Sequence, residues 1–196
     1  MSNFQKDGYI LKKDFIHKDL AKIVEQYCLF QMLNNFKPES HSAQVPGTHS
    51  VHGDSLTESL LLYVQPQVED LTGMKLIPTY SYYRVYKPGD ILKDHVDRES
   101  CEVSVTITMG CKYNDKDGKY RWSLHAYVGN EKRYLDCESG DAVIYNGHRL
   151  QHGRDRFDVG KYSYQVQVFL HYVNACGPYT KDYKYDGRPG IGYIKK

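Results

Sequence analysis

Between residues 76 and 173 the chain is a succession of short β-rich runs cut by turn residues, and this punctuation limits its fold more than any other feature. Residues 76–86, 102–109, 120–128, 132–135, 142–145 and 162–173 are rich in Val, Ile, Thr and Tyr and alternate with period two. Such alternation suits strands that bury one face. Lys87-Pro88-Gly89-Asp90 and the segments 114–118, 129–130 and 138–141 carry the Gly, Pro, Asn and Asp that turns require. Many short strands joined this way point to a sandwich or closed barrel of the jelly-roll kind.

The first third has a different period. Residues 8–15 are expected to be extended, and 17–36 place Leu20, Ile23, Val24, Tyr27, Leu29 and Phe30 at helical spacing. Residues 37–53, rich in Pro, Gly, Ser and His, are expected to form a loop, long enough to act as a lid over a site. A second helix is expected over 55–71, opened by a capping box of Ser55 and Glu58 and closed by Gly73. Residues 174–196 are expected to wrap the surface without regular structure. The fold class is therefore mainly β with N-terminal helices, one domain over 1–196: helical support and lid loop in 1–75, β core in 76–173, tail in 174–196.

At 196 residues such a chain buries a core without a metal or disulfide staple, so a metal would serve chemistry. Lys and Arg number 26 against 24 Asp and Glu, a net charge of +2, which gives no evidence for a nucleic-acid partner. The five cysteines are scattered with no CxxC pair, the pattern of reduced thiols in a cytoplasmic protein. The longest apolar run, 60–64, is too short for a membrane span, and the N-terminus lacks a signal-peptide stretch, so a soluble protein is expected. Tyrosine is over-represented, 19 against 6 Phe and 1 Trp, which suits half-wet sheet faces and clefts.

In Asp94-His95-Val96-Asp97, His95 and Asp97 stand two apart, and on a strand such residues share a face. They could chelate one ion, and a second imidazole on a facing strand would complete a facial triad of two histidines and one carboxylate. That set leaves three adjacent positions open, as iron(II) needs to hold a co-substrate and dioxygen together. His148 and His152 both compete for the third place.

The order of these features, YRVYKPGDILKDHVD, then ESGDAVIY, then a late His followed by a basic residue, resembles the prolyl-4-hydroxylase-like branch of the 2-oxoglutarate and iron(II)-dependent oxygenases. The resemblance covers about 78–173, roughly half the chain. It implies a double-stranded β-helix with helices packed on its major sheet. It also implies Fe(II), 2-oxoglutarate and O2 as cofactor and co-substrates, with ascorbate as a reductant, and decarboxylation of 2-oxoglutarate to succinate coupled to hydroxylation. The substrate implied is a peptide or protein side chain, prolyl or another, or a small molecule.

The family's 2-oxoglutarate-binding basic residue lies nine or ten positions after the distal histidine. Lys161 stands nine after His152, whereas nothing basic stands nine or ten after His148. The resemblance thus implies His95, Asp97 and His152 as metal ligands and Lys161 as the anchor of the far carboxylate. Arg154 is the second choice, because a strand would aim it into the barrel two residues after His152. Tyr86 matches a tyrosine lining the co-substrate pocket, Tyr80 or Tyr82 shares its face by alternation, and Thr106 or Thr108 could offer a hydroxyl. Leu92 stands where some members carry a further tyrosine. Arg98 could face substrate, while His125 and His171 are expected to be ordinary strand residues and His41, His49 and His52 belong to the loop. Two other readings are open: a cupin-like metal enzyme without 2-oxoglutarate, and a non-catalytic β-helix binding module.

Overall fold

The computed structural model describes residues 3–35 and 44–193. Among the described residues ten strands form two antiparallel sheets. In chain order the elements are α1 (Asn3–Asp7), β1 (Tyr9–Lys12), α2 (Lys18–Asn35), β2 (His49–His52), α3 (Ser55–Thr72), β3 (Leu76–Tyr86), β4 (Leu92–His95), β5 (Val103–Lys112), β6 (Leu124–Val128), β7 (Glu131–Leu135), β8 (Ala142–Tyr145), β9 (His152–Arg154), β10 (Tyr164–Asn174) and α4 (Thr180–Tyr183). The larger sheet runs β1-β8-β5-β10-β3-β2 and the smaller β4-β9-β6-β7. This is a double-stranded β-helix, mainly β with helices on one side.

Alternation explains why the sheets face each other as they do. Tyr83 and Val85 of β3, Val105 and Ile107 of β5, and Val166, Val168 and Leu170 of β10 turn outward and are buried under α2 and α3 against Val24, Cys28, Leu61 and Val64. Burying each such aliphatic side chain stabilises the fold by roughly 1.5–3 kcal/mol. The opposite parity faces the smaller sheet and is far more polar. Three cross-strand rows result: Tyr80, His171 and Ser104; Tyr82, Phe169 and Thr106; Arg84, Gln167 and Thr108. Buried polar groups of this kind need partners, which here come from one another.

Several local expectations are corrected. The cap of α3 is Asp54, whose Oδ1 accepts from the Leu56 and Thr57 amides at 3.0 and 3.3 Å, and not Ser55. Glu58 is buried and pairs with Arg188 instead of closing a capping box. Gly73 ends the helix as expected, at φ 73°. Part of the stretch expected to be a loop is β2, pairing with β3 from His49 opposite Val85 to His52 opposite Tyr82. Residues 37–43 of that loop, His41 included, lie outside the described residues, and 44–47 form bends and turns before β2. The tail is partly regular, with α4 and a 3-10 turn over Lys184–Gly187. It is also anchored: Arg188 reaches the Thr79 carbonyl at 3.0 Å and Glu58 at 2.6 Å. Among the described residues no helix is long and apolar enough to cross a membrane.

Candidate active site

His95 ends β4, Asp97 follows in the extended segment beyond it, and His152 opens β9, directly opposite His95 in the register. The β-bulge between Leu92 and His95 and the short length of both strands bring the three side chains to one point. Their nearest ligand atoms all lie within 4.8 Å of one another. Asp97 Oδ1 is 3.3 Å from His95 Nε2 and 3.7 Å from His152 Nε2, and the two rings are 4.4 Å apart.

Each imidazole is fixed from behind. His95 Nδ1 is 2.8 Å from the Lys93 carbonyl, and His152 Nδ1 is 2.9 Å from the Leu150 carbonyl. A carbonyl only accepts, so both rings donate from Nδ1 and turn an unprotonated Nε2 toward Asp97 when neutral. The carboxylate is held as well: Asp97 N donates to the Gly147 carbonyl at 2.8 Å, and Ser104 Oγ donates to Asp97 Oδ2 at 3.1 Å. Ser104 Oγ in turn is 3.0 Å from His171 Nδ1. Gly147 has to be glycine, since a Cβ there would meet the Cys101 carbonyl, with Ser104 Oγ at 2.6 Å and Asp97 Oδ2 at 2.7 Å.

The electrostatics favour a cation at this point. Burial pushes the Asp97 carboxyl up, but the hydrogen bond from His95 and the neighbouring His152 and His171 hold it below the ordinary carboxylate range. Burial works against charge on His95, yet Asp97 raises it overall, whereas burial holds His152 below the usual value and His171 at about 4. A carboxylate held in its ionised form beside two imidazoles tethered through Nδ1 is a donor set for a divalent metal.

The three residues open onto a cavity of about 260 Å³ between the sheets. Tyr80, Tyr82, Arg84, Phe169 and His171 line it from the larger sheet, with Tyr145 from β8 and Leu92 and Leu124 from the smaller one. Tyr82 is thus a lining residue. Tyr86 is fully buried behind Arg84, which donates to its hydroxyl at 3.1 Å. Thr108 is buried, and its hydroxyl donates to the Gln167 amide oxygen at 2.7 Å.

Arg154 points into the barrel as its strand position requires and is only 2 % exposed. Its guanidinium lies 5.0 Å from the Trp122 ring, and Nη1 donates to the Trp122 carbonyl at 2.5 Å. Lys161 is not brought to the cavity: it sits exposed in the turn before β10, where its carbonyl accepts from Asn114. The turn keeps the residue in solvent because β10 begins only at Tyr164. His148 is also apart, its ring 5.3 Å from Tyr179 and its Nε2 accepting from Arg149.

Sequence reasoning passed over Arg84 and gave His52 and His171 ordinary roles, yet all three line the cavity. Parity would have found two of them: Arg84 shares the face of Tyr82 and Tyr86, and His171 that of Phe169. At the mouth, His52 stacks on Tyr80 at 4.5 Å, Arg98 lies 4.7 Å over the same ring, and Arg98 pairs with Asp186 of the tail at 3.1 Å.

No family model and no curated protein match the chain by sequence. Solved structures match closely in shape. A Pseudomonas putida prolyl-4-hydroxylase aligns with a TM-score of 0.64 at 12 % identity, over 86 % of this chain and 95 % of that one. SnoK, a non-haem α-ketoglutarate-dependent carbocyclase from nogalamycin biosynthesis, aligns at 0.68 and 12 %, over 95 % and 86 %. HygX from Streptomyces hygroscopicus, with nickel and 2-oxoglutarate bound, aligns at 0.65 and 13 %, over 97 % and 93 %. These likenesses show the fold: the chain has the double-stranded β-helix that these 2-oxoglutarate-dependent enzymes share.

Proposed function

We propose that this protein is an iron(II)- and 2-oxoglutarate-dependent oxygenase that hydroxylates a peptide side chain or a small molecule. The observation that carries the reading is the pair of carbonyl-tethered imidazoles presenting Nε2 beside the ionised carboxylate of Asp97. His95, Asp97 and His152 would hold the metal, and the donor set of two nitrogens and one oxygen fits iron(II) with positions left open. Bound there, iron(II) and 2-oxoglutarate supply the oxidising chemistry, with succinate and carbon dioxide as by-products.

The chain's own part is orientation and exclusion of water. The Lys93 and Leu150 carbonyls fix the ring tautomers, and Ser104 and the Gly147 carbonyl fix the carboxylate. Tyr145, its ring 4.6 Å from His152, and Phe169 wall the cavity with aromatic surface. Tyr80, His52 and Arg98 crowd its mouth, where a substrate would enter. That the structural relatives include a prolyl-4-hydroxylase and HygX with hygromycin B bound supports both substrate classes. The five free cysteines support a reducing, cytoplasmic setting.

Iron(II) binding under nitrogen tests the ligand set. His95→Ala and His152→Ala are expected to weaken it by more than about 100-fold, and His148→Ala to leave it within a few-fold. Tight binding by His152→Ala with loss in His148→Ala would overturn the assignment. Succinate formation from 2-oxoglutarate without added substrate then separates an enzyme from a barrel that only binds metal.

A further inference from the structure

We propose that Arg84, and not a basic residue after the distal histidine, seats the far carboxylate of 2-oxoglutarate, with the Tyr82 and Tyr86 hydroxyls beside it; this rests on the reading of the site just given. Among the described residues Arg84 is the arginine that lines the same cavity as His95, Asp97 and His152, and it is 2 % exposed. It projects from near the end of β3, where the strand is bonded on both sides, to β10 and β2.

The immediate surroundings suit a carboxylate. Nη1 donates to the Tyr86 hydroxyl and Nη2 to the Tyr82 hydroxyl, each at 3.1 Å. A phenol that accepts from arginine keeps its own proton to donate, so guanidinium and hydroxyls together present several donors to one group. The rings hold the guanidinium plane, each centroid 5.2 Å from Cζ. Arg84 and the three candidate ligands line one cavity, so cation and metal site face one enclosed space.

The alternatives are placed elsewhere. Lys161 is exposed in a turn. Arg154 is outside the cavity lining and is committed to the Trp122 carbonyl, and with the Gln167 amide oriented to satisfy both its ends, the oxygen of that amide accepts from Arg154 Nη2 at 3.2 Å. Planar bidentate recognition is what arginine does better than lysine. The metal end and the arginine end of the cavity are therefore complementary to a 2-oxo dicarboxylate, one end for the 2-oxo acid group and the other for the second carboxylate.

The test is titration of the iron(II)-loaded, oxygen-free protein with 2-oxoglutarate and with 2-oxobutanoate, which lacks the far carboxylate, following the metal-to-ligand absorption band. The parent is expected to bind 2-oxoglutarate far more tightly than 2-oxobutanoate. Arg84→Gln is expected to bind 2-oxoglutarate about thirty- to several-hundred-fold more weakly, with 2-oxobutanoate and iron(II) affinity nearly unchanged. Arg84→Lys, which keeps the charge and tests the point even if Arg84→Gln misfolds, is expected to restore part of the preference. Lys161→Ala is expected to bind as the parent does. Undiminished 2-oxoglutarate binding by both Arg84 variants, or a loss confined to Lys161→Ala or Arg154→Lys, overturns the assignment while leaving the proposed function intact. A parent that binds iron(II) but not 2-oxoglutarate overturns both.

Discussion

Ser104 shows how much of a metal site lies behind its ligands. Its hydroxyl has one proton, which it gives to Asp97 Oδ2, and it accepts from Nδ1 of the neutral His171. Removing it leaves a buried carboxylate oxygen short of a donor, and second partners of this kind typically carry ten- to a hundred-fold in metal affinity. Ser104→Ala is expected to fold normally, by circular dichroism, and to bind iron(II) about tenfold more weakly. Affinity equal to the parent's would mean that Gly147 and the strand ends alone position Asp97. His95 and Asp97 were legible because their spacing is local. Ser104 was not, since its role depends on β5 passing behind the extended segment that carries Asp97.

At the scale of elements, the turn before β8 does more than reverse the chain. Asp141 accepts from the amides of Glu138 and Asp14 at 2.8 and 2.9 Å and pairs with Lys13 at 2.7 Å, tying the segment after β1 to the start of β8. Burial pushes its carboxyl up, but the Lys13 and amide hydrogen bonds hold it below the ordinary range. A carboxyl depressed in the folded state stabilises the fold above the unfolded value, and that stability is lost as pH falls through the folded one. Asp141→Asn is therefore expected to cost about 1–3 kcal/mol at pH 7, most of it from the amide bonds because Lys13 is half exposed. Urea denaturation should show the gap between variant and parent closing below about pH 4, and a pH-independent gap would sink the account. The strands of residues 76–86 and 142–145 were readable from alternation alone. The strand β2 was not, because His49 to His52 pairs only as an edge on β3 and carries little apolar pattern of its own.

Across the whole molecule, the tail is tied to residues beside the cavity through Asp186. Arg188 pairs with Glu58 at 2.6 Å, both side chains 2 % exposed, and Arg188 also donates to the carbonyls of Thr79, Tyr185 and Tyr193. This holds Asp186 where it meets Arg98 and His52. Breaking a buried pair by removing one partner costs on the order of 3–5 kcal/mol, because the other charge is left buried. Arg188→Ala is expected to lower the melting temperature and to expose the tail to limited proteolysis, and Glu58→Gln in the same chain should recover part of the loss. An unchanged melting temperature and an intact tail would show that α4 holds the segment without the pair. What the sequence determined by itself were features with a short range: the strand periods, the Gly73 stop, the shared face of the candidates His95 and Asp97, and the inward aim of Arg154. The tertiary structure decided which charged groups share a space, setting Arg84 in the cavity and Lys161 in solvent. It also decided that Glu58 answers to Arg188 rather than to its own helix, because burial and pairing across 130 residues of chain depend on packing that no local pattern encodes.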